Sequence, residues 1–193
     1  QHFRQLISLC DRERPRRAAR IEPVAPQLAG QRARDAEKRL GEVVRTVAAR
    51  GGKVLIPSFA VGRVQEVVYA LHQLWREQKI PDIPIFVDSP LAVDATTVFR
   101  MHPEVFDRRE RRVDDGHALF DFPLLRYVRS VIESKKINAM NGPAVIIAAS
   151  GMVESGRVLH HIANHAGDHR NCILFVGFQA EHTLGRRIQE GQS

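Results

Sequence analysis

The residues best suited to chemistry in this 193-residue chain stand where short apolar runs stop. Val54-Leu55-Ile56-Pro57 ends on Ser58, Ile85-Phe86-Val87 on Asp88 and Ser89, and Val145-Ile146-Ile147-Ala148-Ala149 on Ser150 and Gly151, while Ile173-Leu174-Phe175-Val176-Gly177 leads to Gln179. Arg63 and Arg157 lie early in the helical patterns that follow two of these runs. Hydroxyls, backbone amides at helix N-termini and guanidinium groups all suit phosphate oxygens, because the helix dipole favours anions and arginine grips them at two points. Together these residue types can line a phosphate-binding groove. Taken singly, a serine or aspartate at a strand end can equally cap the helix that follows. Four such ends in one chain favour the groove.

His160-His161, with His165 and His169 at four-residue steps from His161, raises the question of a metal. Zinc needs three or four converging ligands, commonly backed by carboxylates. Gly167 interrupts the helical register before His169, and no His-x-His or cysteine pair accompanies the set. No metal ligand is therefore assigned. His165 and His169 are expected to be structural or solvent-facing, and His160 and His161 to line the groove. The chain has no Gly-x4-Gly-Lys-Ser/Thr, no Gly-x-Gly-x-x-Gly after a strand and no Gly-x-Ser-x-Gly elbow, so no self-contained catalytic centre is visible.

The elements that must position these residues follow from periodicity. Each apolar run is short enough for a buried strand and each gives way to an amphipathic stretch: Asp35 to Gly51-Gly52 before the first run, Gly62 to about Glu77, Ser89-Pro90 onward, about Ser155 to Ala163, and His182 to about Glu190. Buried strands alternating with helices predict an α/β fold of three layers, a mostly parallel sheet with helices on both faces. All strand ends then share one rim, where open sheets of this kind bind ligands. Residues 35–193 are read as one domain.

Two segments break the rhythm. Residues 1–34 crowd Arg12, Arg14, Arg16, Arg17 and Arg20 around Pro15, Pro23 and Pro26, and are expected to be an irregular basic segment, disordered or foreign to the domain. Residues 103 to about 140 lack a clear strand. There Arg108, Arg109, Arg111 and Arg112 precede Phe120, Phe122 and Tyr127, either a basic and aromatic nucleic-acid surface or a solvated helical excursion with a few core aromatics, the second being favoured.

Charge and composition narrow the classes. Of the net +7, residues 1–50 carry +6, with 12 Lys/Arg against 6 Asp/Glu, so the rest is near neutral and the high pI is weak evidence for nucleic acid. Cys10 and Cys172 are far apart, which argues against a disulfide framework and makes Cys172 a reduced core thiol. No run approaches the roughly 20 apolar residues of a membrane span, and a cytoplasmic location is expected.

At these same residues the sequence resembles the β-CASP domain of metallo-β-lactamase-fold nucleases, the group of the mRNA 3′-end cleavage endonuclease and its bacterial and archaeal relatives. The resemblance rests on Gly52-Lys53-Val54-Leu55-Ile56-Pro57-Ser58-Phe59-Ala60-Val61-Gly62-Arg63, Val87-Asp88-Ser89-Pro90-Leu91-Ala92, Ser150-Gly151-Met152 through Gly156-Arg157-Val158-Leu159-His160-His161, and Phe175-Val176-Gly177-Phe178-Gln179 with Gly185-Arg186-Arg187. It implies a Rossmann-like lid over a zinc hydrolase, with single-stranded RNA in the cleft between them. Ser58, Arg63, Asp88, Ser89, Ser150, Gly151, Met152, Arg157, His160, His161 and Gln179 would then face RNA. It also implies two zinc ions in the full-length enzyme, but none in this chain, whose zinc-binding partner domain and final motifs would lie outside it. Glu22 stands where the family has a motif glutamate, yet Pro23-Val24-Ala25-Pro26 replaces that motif's remainder, so no catalytic residue is assigned. A homodimer is compatible with this reading. The residues alone leave open a stand-alone module for a nucleotide or phosphate group, without nuclease use, or a truncated product without function.

Overall fold

The structure is a computed structural model and describes residues 20–23, 31–102 and 118–191. Six strands, β1 (Arg20–Pro23), β2 (Lys53–Pro57), β3 (Ile85–Asp88), β4 (Leu125–Val128), β5 (Ala144–Ala148) and β6 (Cys172–Phe175), form one sheet in the order β1-β6-β2-β5-β3-β4. Every pairing is parallel. The helices are α1 (Gln31–Ala49), α2 (Arg63–Arg76), α3 (Pro90–Met101), α4 (Val131–Ala139), α5 (Arg157–His165) and α6 (Leu184–Glu190), with a 3-10 turn at Ala118–Phe120. This is the three-layer α/β architecture that the alternating pattern predicts.

The four continuous apolar runs are the four interior strands. β2, β3, β5 and β6 are buried at every position, as strands covered on both faces are, and apart from Lys53 and Asp88 at strand ends their side chains are apolar. The two strands that the pattern does not announce, β1 and β4, are the two edges of the sheet. Edge strands are short and carry charge, which blunts them against further pairing. β4 shows it: Arg126 is exposed while Val128 is buried, and the register runs Ile85 opposite Leu125 to Asp88 opposite Val128.

Within the segment 1–34, Arg20–Pro23 pair with Cys172 to Phe175 and α1 begins at Gln31; residues 1–19 and 24–30, on which most of that expectation falls, lie outside the described residues. One expectation is corrected. The stretch from 103 to 140 does contain a strand, β4, and a helix, α4. An edge strand borrows its hydrogen bonds from a neighbour remote in sequence, so a weak local pattern suffices.

The chain crosses the sheet in one direction from β1 to β4 and then returns through β5 and β6, which insert between strands already laid down. Right-handed crossovers place the outgoing helices on one face and the returning helices on the other. One core joins Val54, Ile56, Val87, Ile147 and Leu174 to Val44 of α1 and Leu71 and Leu74 of α2, with Phe120 and Phe122. The opposite core joins Leu55, Phe86, Ile146 and Phe175 to Ile137 of α4 and Val158 and Ile162 of α5. Phe120 and Phe122 are thus core residues, Phe122 stacking on His72 with ring centroids 4.8 Å apart. Tyr127 donates to the Phe120 carbonyl at 3.0 Å. Arg108 to Arg112 fall outside the described residues. Cys172 is a buried free thiol.

Candidate nucleic-acid interface

Because all strands run one way, the chemistry-bearing residues gather on the carboxyl rim of the sheet. Toward its β4 side Asp88, the last residue of β3, is completely buried. Its carboxylate accepts from Ser134 Oγ at 2.5 Å, from Arg157 Nη1 at 2.5 Å and from His161 Nε2 at 2.7 Å. Burial pushes the Asp88 carboxyl up, but the hydrogen bonds from His161, Ser134 and Arg157 outweigh it and hold the group below the usual carboxylate range. His161 completes a chain by meeting the Asn138 side-chain amide through Nδ1 at 2.7 Å.

Arg157 opens α5 and is fixed from several sides. Besides Asp88 it donates to the Val128 carbonyl at 3.3 Å and to the Arg129 carbonyl. A guanidinium has five N–H donors, so two remain for another partner. Gly156 makes this entry feasible: its φ of 79° and ψ of −170° belong to a region open essentially to glycine. A Cβ there would also lie 2.5 Å from the Ala149 carbonyl oxygen.

The second part of the rim is the turn after β5. Ser150 Oγ accepts from the amides of Glu154 at 3.1 Å and Ser155 at 3.3 Å, so the hydroxyl organises the turn. Gln179, buried after β6, ties the two loops together by donating to the Gly151 carbonyl at 2.9 Å. Gly185 comes so close that a Cβ would sit 1.9 Å from Gln179 Oε1. Gly151 in turn backs the ring of Phe59, whose Cδ2 is 2.9 Å from where a Cβ would be. Met152 is half-buried, and its carbonyl accepts from Gly185 N at 2.9 Å.

Ser58 is buried, its amide donating to the Ala148 carbonyl at 3.0 Å, and Ser89 caps α3 by accepting from Ala92 N at 3.3 Å. Arg63 pairs with Glu66 one turn on. His160 and His161 part company: His161 is enclosed beside Asp88, whereas His160 is exposed on the outer side of α5. His165 is buried and His169 exposed. Glu22 occupies the third position of β1, opposite Leu174.

Four contributors escaped the sequence reading. Ser134 and Asn138 lie on α4, whose N-terminus was signalled by Ser130-Val131-Ile132-Glu133, a capping box in which Ser130 Oγ accepts from Glu133 N at 3.1 Å. Phe59 and Phe178 are exposed aromatics directly after β2 and β6. Among the described residues no three His, Cys, Asp or Glu side chains converge to hold a metal ion. No described helix is long and apolar enough to cross a membrane.

An all-parallel, three-layer sheet with a polar cluster on its carboxyl rim defines a Rossmann-like ligand-binding class of α/β domain. Residues 64–188 match the family model described as Beta-Casp domain, and the chain belongs to the β-CASP family. It is 39% identical over 160 residues to the transcription termination factor FttA of Methanosarcina mazei and 42% identical over 159 residues to that of Pyrococcus abyssi. It is 35% identical over 156 residues to ribonuclease TTHA0252 of Thermus thermophilus. These alignments take in 82%, 81% and 80% of this chain but 25%, 24% and 36% of the relatives, so the chain spans about a quarter to a third of their length.

Proposed function

We propose that this chain is the RNA-binding lid of a zinc-dependent endoribonuclease of the cytoplasm, enclosing single-stranded RNA against a metallo-β-lactamase-fold portion outside these residues. That other portion would hold the two zinc ions, which supply an activated hydroxide for phosphodiester hydrolysis when bound. The part of this chain is to bind and orient the strand. That relatives are named as a ribonuclease and as transcription termination factors supports an RNA substrate.

The observation that carries the reading is the exposure of Phe59 and Phe178, 46% and 66%, at the carboxyl ends of the neighbouring strands β2 and β6. Aromatic rings at a rim that also presents Arg157 offer bases a stacking surface and phosphates a cation, the combination that binds single strands without sequence preference. Leu91, Val131 and Ile132 continue this apolar margin.

Fluorescence anisotropy with a labelled single-stranded RNA tests it. Binding should weaken as salt rises, and Arg157→Ala should weaken it further. Absence of binding at low salt would refute RNA recognition. Hydrolysis of RNA by the purified chain in zinc, free of contaminating nuclease, would refute the placement of the metal chemistry elsewhere.

A further inference from the structure

Beyond the rim, a cavity of about 470 Å³ lies between α4 and α5. It starts at Arg157 and runs along both helices past Lys135, Asn138 and His160 to Asn164. We propose that this groove holds one nucleotide of the bound RNA strand, its phosphate against Lys135 and His160 and its base edge against Asn138 and Asn164. The inference rests on the RNA reading above and extends the strand's path from the rim onto the outer helical layer.

The chemistry of the lining carries it. No carboxylate lines the cavity, while a lysine, an arginine and a histidine do. Among the described residues Lys135 makes no ion pair, and no side-chain hydrogen bond occupies His160, although the nearby Arg157 is committed to Asp88. The amides are half used. Asn138 spends one amide atom on His161, and Asn164 donates Nδ2 to the His160 carbonyl at 2.7 Å, leaving its oxygen free. Two carboxamides with spare atoms can read the donor and acceptor pattern of a base edge, which an acidic peptide would not need. Val131, 60% exposed at the mouth, adds an apolar contact. The volume falls in the range of small-molecule sites, about 300 to 1,000 Å³.

The experiment uses the 193-residue chain with a short labelled single-stranded RNA, and with UMP and AMP as separate probes. Lys135 and Asn164 are both exposed, so Lys135→Glu and Asn164→Leu should leave the fold intact, which circular dichroism checks. Lys135→Glu should weaken RNA binding about tenfold and lower the slope of log affinity against log salt by about one. Asn164→Leu should weaken binding about fivefold without changing that slope, since an amide contact releases no counterion. Lys38→Glu, the same charge change on exposed α1 of the opposite layer, should leave affinity unaltered beyond its long-range field. RNA bound equally by the wild type and both groove variants would overturn the groove while leaving the RNA reading intact. A wild type that binds no RNA would overturn both. Mononucleotide bound as tightly as RNA, or displacement of RNA by polyglutamate at equal concentration, would overturn the strand path.

Discussion

Asp88 and His161 stand 73 positions apart in the chain and meet at 2.7 Å, both buried, with Ser134 and Arg157 on the same carboxylate. Removing the charge at Asp88 would leave three donors facing a weaker acceptor in a closed site. Asp88→Asn is expected to cost about 3 kcal/mol, read as a lower urea midpoint. The pH dependence has a definite sign. The folded carboxyl titrates below its unfolded value, so its contribution is present above roughly pH 4 and is lost as pH falls through the folded value. In Asp88→Asn that acid limb should flatten.

A second acid-sensitive group lies at the other end of α5. His165 is held down to about 4, first by burial, then by electrostatic repulsion from Lys53 and from the nearby His161, with Asp168 opposing. Its Nε2 is buried without a hydrogen-bond partner. The unfolded imidazole takes up its proton near pH 6.5, the folded one not until about 4, so stability should fall as pH drops through this window. The loss should be on the order of 2 kcal/mol, and His165→Gln should remove most of the slope in urea titrations at successive pH values.

Gly156→Ala tests how the turn places Arg157. The alanine would adopt a glycine-only conformation and press its Cβ against the Ala149 carbonyl. A cost of about 3 kcal/mol is expected, seen as a Tm lower by several degrees. At a temperature where the variant is still folded, RNA affinity should fall as well, because the guanidinium loses its fixed entry.

Phe59→Ala combined with Phe178→Ala should reduce affinity for single-stranded RNA at least tenfold, since base stacking is worth about 1–3 kcal/mol per base. The salt slope should stay as in the wild type. Phe59→Trp should retain binding. If the double variant bound RNA like the wild type, the rings would instead belong to a protein contact.

Legibility from sequence followed burial. The interior strands β2, β3, β5 and β6 were plain because a strand enclosed on both faces reads as a near-continuous apolar run. Edge strands β1 and β4 were missed because an edge position tolerates charge, as exposed Arg126 shows, so no continuous apolar run marks them. The place of the rim residues after apolar runs was legible, but their hydrogen-bond partners were not. Asp88 and His161 looked like groove-lining groups and are enclosed, while Ser134 and Asn138 came from a stretch with no strong pattern.

By itself the sequence determined the alternation of strand and helix, the parallel sheet, the shared rim and the β-CASP motifs, because periodicity and turn residues act over neighbouring positions. Only the tertiary structure decided the order β1-β6-β2-β5-β3-β4 and with it the joining of β3 to α4 and α5 through one carboxylate. The reason is physical. Strand order depends on crossovers returning between strands already laid down, and a hydrogen bond spanning 73 residues leaves no periodic trace in the chain.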